Sequence, residues 1–174
     1  MIAACLMPNH IHLVVRPSDA RDVARWMHWV FTTHVRWHHE KYDATGRVWQ
    51  GRFKAFASQT DHHLLSVMRY VERNALRAKL VERAEDWEWG SLAWRREHIP
   101  PVRLVESPTP LPSYWRQYVN DPQTAAELAE IRACVNRQRP FGAEDWVARQ
   151  VKEFGLEATI RNVGRPSRAT RAAE

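Results

Sequence analysis

Cysteine is nearly absent from this chain of 174 residues: Cys5 and Cys134 are too few and too far apart for a disulfide framework or a cysteine-built zinc site. No run approaches the roughly 20 apolar residues that a bilayer-spanning helix needs. The first residues also lack the charged lead and apolar core of an export signal, so the sequence reads as that of a cytoplasmic protein. There is no internal repeat, which excludes a solenoid. Acidic residues are in the minority. The formal charge is +6 and the pI about 9.8, and arginine far outnumbers lysine. The excess lies at the two ends, in residues 1–60 and 132–174, whereas the middle of the chain is slightly acidic. A planar guanidinium suits phosphate recognition better than a point charge does, so nucleic acid is the leading partner.

The length suits one domain, or one domain with an appendage. Leu6 to Val15 reads as a strand interrupted by Pro8 and Asn9. Ser18 and Asp19 cap a long amphipathic helix from Ala20 to about Tyr42. Between Arg47 and Ser58 the alternation of Trp49, Gly51, Phe53 and Ala55 with Gln50, Arg52 and Lys54 predicts a half-buried strand with a basic outer face. A second helix is expected from about Asp61 to Leu80, and Trp87, Trp89 and Trp94 mark a packed segment that closes the core. Pro100, Pro101, Pro108, Pro110 and Pro112 read as a linker over residues 99–120. Beyond it Asp121 and Pro122 open a helix to about Asn136, and another runs from Ala143 to Phe154, ended by Gly155. The arginine-rich tail after Gly164 reads as mobile. The fold class expected is α+β: an antiparallel sheet with helices on one side over residues 1–98, then the linker, then a helical, basic extension over 121–174.

In the run Met7-Pro8-Asn9-His10-Ile11-His12-Leu13-Val14-Val15, His10 and His12 fall on one face of an extended strand. Two imidazoles on one rigid element make half of a coordination shell for a divalent metal. An edge strand with two exposed histidines is the alternative. Tyr70 and Asn74, four residues apart, share a helix face. A phenolate attacks a phosphodiester when a metal neutralises the phosphate, and a carboxamide oxygen completes such a metal's shell. His62 and His63 suit solvated or capping roles better than metal ligation, and His38 and His39 complement the end of the first helix.

The histidine run, Trp49-Gln50-Gly51-Arg52-Phe53-Lys54, the stretch from Arg69-Tyr70 through Asn74 to Val81, and Trp87-Glu88-Trp89-Gly90-Ser91 occur in an order and spacing that resembles the IS200-like single-tyrosine (HUH) transposases. The match is to their REP-associated branch. Asn136-Arg137-Gln138-Arg139-Pro140-Phe141-Gly142 and Gly164-Arg165-Pro166 are similar to that branch's C-terminal extension. The resemblance implies a ferredoxin-like HUH domain that cleaves and rejoins single-stranded or hairpin DNA of repetitive extragenic palindromes. On that resemblance Tyr70 is the nucleophile, forming a 5′-phosphotyrosine link. His10 and His12, with Asn74 as third ligand, hold Mg²⁺ or Mn²⁺. Arg52, Lys54, Arg137, Arg139 and Arg165 are the DNA-binding candidates, Arg165 as part of a minor-groove arm. A homodimer is among the assemblies the resemblance allows.

Two departures carry expectations. Ala75 and Lys79 stand where the family has proline and glycine, which favours a longer, straighter helix. The histidine strand lies so near Met1 that the family's first strand and helix are expected to be missing. Two other functions stay open: a catalytically inactive, truncated or domesticated DNA-binding remnant, and a small phosphoesterase using a metal on the histidine pair.

Overall fold

The computed structural model describes residues 1–97 and 100–161. The chain is α+β, with one small antiparallel sheet under a set of helices. The sheet is a hairpin of β1 (Ala3–Leu6) and β2 (Ile11–Val14), in the register Ala3 to Val14, Ala4 to Leu13, Cys5 to His12 and Leu6 to Ile11. The single interrupted strand expected over 6–15 is therefore corrected. Pro8 and Asn9 form a reversal, closed by Met7 N–H donating to the His10 carbonyl at 2.8 Å, rather than a break in one strand. The neighbour of the histidine strand is Ala3–Leu6. Its other edge is engaged as well: Leu6 N–H donates to the Trp89 carbonyl at 2.9 Å, and Cys5 bridges Gly90. Ala3, Ala4 and Cys5 are consecutive and all buried, so both faces of β1 are covered.

Helix α1 (Ala20–Tyr42) begins as expected: the Asp19 carboxylate accepts from Arg21 N–H at 2.9 Å. Among the described residues, no helix is long and apolar enough to cross a membrane. The strand expected over Arg47–Ser58 does not form. Among the described residues no partner strand lies beside it, and Trp49 and Phe53 turn back onto Phe31 of α1, at ring separations of 4.6 and 6.5 Å. Only Ser58 pairs, in a parallel bridge with Phe141.

Helix α2 (His62–Glu72) lies across the hairpin and buries Leu64, Val67, Met68 and Val71. It kinks at Arg73 and continues as α3 (Asn74–Arg77). The straight helix to Leu80 is thus also corrected. Leu80 N–H reaches back to the Ala75 carbonyl at 3.0 Å, which closes the end and places Lys79 in the left-handed region, φ +59°. The backbone keeps the shape that glycine favours, although the side chain is lysine.

A 3₁₀ turn (Ala84–Asp86) and α4 (Ser91–Trp94) follow. Trp94 is buried and Trp87 donates to the Leu6 carbonyl at 2.9 Å, but Trp89, expected in the core, is 52% exposed. Within the stretch read as a linker, α5 (Trp115–Asn120) buries Trp115 and Val119. Helix α6 (Ala125–Arg137) starts three residues after Pro122, on a capping box between Thr124 and Glu127. Helix α7 (Glu144–Phe154) ends at Gly155, φ +62°, and α8 (Glu157–Ile160) completes the set. Ile131, Cys134 and Phe141 join the same core as Leu64 and Met68.

The Glu72 carboxylate, fully buried, ties these elements together. It accepts from Ser91 Oγ at 2.6 Å, Arg95 Nε at 3.1 Å and Trp115 Nε1 at 2.7 Å. Ser91 Oγ in turn accepts from Ala4 N–H, and Arg95 Nη2 donates to the Ile2 carbonyl at 2.7 Å.

Two stability measurements follow. Glu72→Ala strands a half-buried cation and two buried donors, and urea denaturation should show a loss of about 3 kcal/mol. Lys79→Gly relieves a left-handed lysine and should raise stability by up to about 1 kcal/mol in the same assay.

Candidate active site on the histidine hairpin

The hairpin turn and the α2–α3 segment bring the four candidate residues together. His10 closes the turn and His12 lies in β2, so both rings still project from one face, edge to face with centroids 4.9 Å apart. Tyr70 on α2 meets the His12 ring at 5.7 Å, also edge to face. Asn74, the first residue of α3, directs Nδ2 at His10 Nε2, 3.4 Å away. Tyr70 and Asn74 are buried, at 8% and 6% exposure, whereas His10 is exposed. The group therefore opens to solvent on the side of the hairpin turn.

Two further residues shape the site and were not singled out in the sequence. Asn9 Oδ1 lies 2.6 Å from His10 Nδ1; assigning the ring proton to Nδ1 leaves the Nε2 lone pair facing the site. Arg77 lies over the Tyr70 ring with Cζ 4.2 Å from its centroid, and donates through Nη2 to Asn74 Oδ1 and through Nη1 to the Tyr70 carbonyl. The signal for Arg77 was present in its spacing: residues three and seven positions apart on a helix share a face, and Asn74 and Tyr70 stand at those distances.

Burial pushes the His12 imidazole down to about 4, helped by His10 and Arg77, so it is neutral with a lone pair free at pH 7. Burial also lowers the Arg77 guanidinium below its ordinary value, and Arg132 and Arg73 add to that. The Cys5 thiol, across the hairpin from His12, is pushed up to about 11 by burial and stays protonated. Two imidazoles and a carboxamide are a donor set that fits a divalent cation sharing its remaining positions with water and phosphate oxygens, as Mg²⁺ and Mn²⁺ do. As the side chains stand, His10 Nε2 is met by the Asn74 amide nitrogen, and the Asn74 oxygen is engaged by Arg77.

The basic candidates lie elsewhere. Arg52, Lys54, Arg137 and Arg139 are exposed. Lys54 Nζ donates to Asn136 Oδ1 at 3.2 Å, so the 47–58 loop lies against the end of α6, beside Arg137. Arg137 donates to the Arg161 carbonyl at 3.2 Å. Arg165, with Gly164, Pro166 and the tail read as mobile, lies outside the described residues. At the start of α2 the Asp61 carboxylate accepts from His63 N–H at 2.8 Å and meets His63 Nδ1 at 2.7 Å, a helix-capping arrangement; the His62 side chain is 78% exposed.

A family model for the IS200-like transposases matches residues 1–74, a span that includes His10, His12, Tyr70 and Asn74. A Haemophilus influenzae protein named as a REP-associated tyrosine transposase is 27% identical over 101 residues, covering 52% of this chain and 57% of that protein. The chain thus spans little more than half the length of that relative. No solved structure matches.

The His12 shift fixes a pH dependence. Above pH 6.5 the imidazole is neutral folded or unfolded and contributes no slope. Between pH 6.5 and about 4 the unfolded chain takes up a proton that the folded chain refuses, so stability falls as acid is added. The accumulated loss is on the order of 3 kcal/mol, and below the folded pKa the slope vanishes. Urea midpoints measured across that window should fall in the wild type and be flatter in His12→Gln.

Proposed function

We propose that this chain, whose first 74 residues match the family model for the IS200-like transposases, cleaves and rejoins single-stranded DNA through Tyr70, with a divalent cation on His10 and His12. The observation that carries this reading is the meeting of a tyrosine, two adjacent imidazoles and an arginine at one opening. A phosphodiester is an anion, and Arg77, with Arg73 and Arg132 acting on it, gives the site a positive field to draw one in. A cation on the histidine pair would neutralise further charge on the phosphate and so make its phosphorus open to attack.

The Tyr70 hydroxyl attacks phosphorus in line with the departing 3′-oxygen. One P–O bond forms as another breaks, the phenol gives up a proton, and the released 3′-oxygen takes one. A 5′-phosphotyrosine and a free 3′-hydroxyl result. Because the phosphoester bond is exchanged rather than hydrolysed, attack by a 3′-hydroxyl reverses the step without a nucleotide cofactor. Arg77 serves the nucleophile by lying against its ring, and Asn9 holds His10 with Nε2 turned inward. The substrate we assign is hairpin DNA of the repetitive extragenic palindrome type, in keeping with the name of the Haemophilus relative. Arg52, Lys54, Arg137 and Arg139 are assigned to the DNA backbone, since Lys54 and the end of α6 adjoin.

A second reading is favoured by one observation: Tyr70 is 8% exposed, packed beneath Arg77. A protein that binds DNA hairpins without cutting them has no need to present this hydroxyl.

Incubation with a hairpin oligonucleotide and Mn²⁺ should give a covalent protein–DNA adduct that resists denaturing electrophoresis. Tyr70→Phe should abolish the adduct while holding DNA affinity within about tenfold, or 1.4 kcal/mol. Chelation with EDTA should abolish it in the wild type, and added Mg²⁺ or Mn²⁺ should restore it. An adduct that persists in Tyr70→Phe sinks the assignment, and tight binding with no wild-type adduct selects the second reading.

A further inference from the structure

Arg77 is a cation whose partners are all neutral. Its guanidinium rests on the Tyr70 ring, bonds the Asn74 carboxamide oxygen and reaches the Tyr70 carbonyl at 3.4 Å. Among the described residues it makes no salt bridge. Arg95 has the Glu72 carboxylate, and Arg69 has Glu127 at 3.5 Å together with the Asp121 carbonyl; Arg73 also bonds only carbonyls, those of Val119 and Asn120, but it makes no contact with the Asn74 carboxamide. A half-buried guanidinium with only neutral acceptors will exchange them for an anion that enters the site. Bonds to phosphate oxygens are charge-assisted and roughly twice as strong as those to a carboxamide.

What Arg77 holds matters as much as what it lacks. With its oxygen bound to the guanidinium, Asn74 turns its Nδ2 toward His10 Nε2. In that orientation the carboxamide presents N–H groups to the lone pair that would hold a cation, and its own oxygen faces away. The residue four positions after Tyr70 is thus turned against metal ligation by the residue seven positions after it.

We propose that Arg77 is a phosphate-operated latch on Asn74. Without DNA it holds the carboxamide oxygen away from the His10–His12 pair, and a DNA phosphate that takes the guanidinium frees that oxygen to turn toward a divalent cation. The latch rests on the reading of the site as a metal-dependent DNA transferase. It makes Arg77 a positioning residue for Asn74, and it couples the two ligands: DNA raises the affinity for the cation, and the cation raises the affinity for DNA by the same factor. The cation is then held by its full set of protein ligands only when there is a phosphate to cut.

The test uses the Tyr70→Phe protein, so that no bond is broken, and reads Mn²⁺ affinity by electron paramagnetic resonance with and without mixed-sequence single-stranded DNA. Only the binding lost in His10→Ala is counted, which removes Mn²⁺ held by the DNA itself. In the DNA-free protein Asn74→Ala should leave the affinity within about twofold, and in the DNA complex it should lower it by about tenfold or more, the range for losing a metal-site group. Arg77→Met keeps the apolar contact with the ring and removes the latch, so in that background Asn74→Ala should weaken Mn²⁺ binding with or without DNA. Reading the effect of Asn74 as a difference within each background cancels the charge lost with Arg77.

Should Asn74→Ala fail to fold, Arg77→Met alone decides. The gain in Mn²⁺ affinity on adding DNA should shrink to within about twofold, and an undiminished gain overturns the latch. An equal loss on Asn74→Ala with and without DNA, or no loss in either, also overturns it. If no Mn²⁺ binding depends on His10, the metal reading of the site falls and the latch with it. If binding depends on His10 but not on Arg77, the latch alone is wrong.

Discussion

The Glu72 carboxylate is the point on which the other elements depend. A charge with no exposure is tolerable only when its lone pairs are engaged, and here hydroxyl and guanidinium donors come from α4 and its C-cap and an indole donor from α5. Those donors are themselves shared: Ser91 also accepts from β1, and Arg95 also donates to its lead-in. The result is one network joining α2, α4, α5 and β1. Glu72 stands two residues after Tyr70 and two before Asn74, so the network that closes the core also fixes the azimuth of the helix that faces the histidines.

How much of this could be read from the residues depends on how local the cause was. Helix α1 was legible because Asp19 caps it and its apolar spacing runs for six turns. The end of α7 was legible because Gly155 takes the left-handed position. The stretch 47–58 misled because alternation is a property of a strand with a partner, and Trp49 and Phe53 found a helix instead. The hairpin was missed because the single strand read from Leu6 to Val15 ran through a Pro-Asn reversal too short to register as a boundary and left Ala3, Ala4 and Cys5 outside it. Glu72 gave no signal at all: its donors come from residues 91, 95 and 115.

The site shows the same division. His10 and His12 could be paired from their spacing alone, as could Tyr70 and Asn74, because period two and period 3.6 are properties of the backbone. That the two pairs face each other is a tertiary fact, produced by α2 crossing the hairpin. The electrostatics are tertiary as well. Neutrality of His12 comes from burial, helped by His10 and Arg77, and the orientation of Asn74 comes from an arginine that takes its oxygen while a histidine nitrogen faces its amide nitrogen. A site of this kind is set less by which groups are present than by which of them hold one another.

The bridge between Ser58 and Phe141 bears on when such a site can exist. Phe141 N–H donates to the Ala57 carbonyl and Gln59 N–H to the Phe141 carbonyl, so the lead-in to α2 is clasped by a residue more than eighty positions later. Trp115 reaches Glu72 across forty-three. A ribosome delivers the histidines and the tyrosine long before it delivers their clamps, and folding by long-range closure waits for the later partner. The nascent chain therefore carries all four candidate residues without the clamps that lock them in place until Phe141 has been made, 67 positions after Asn74.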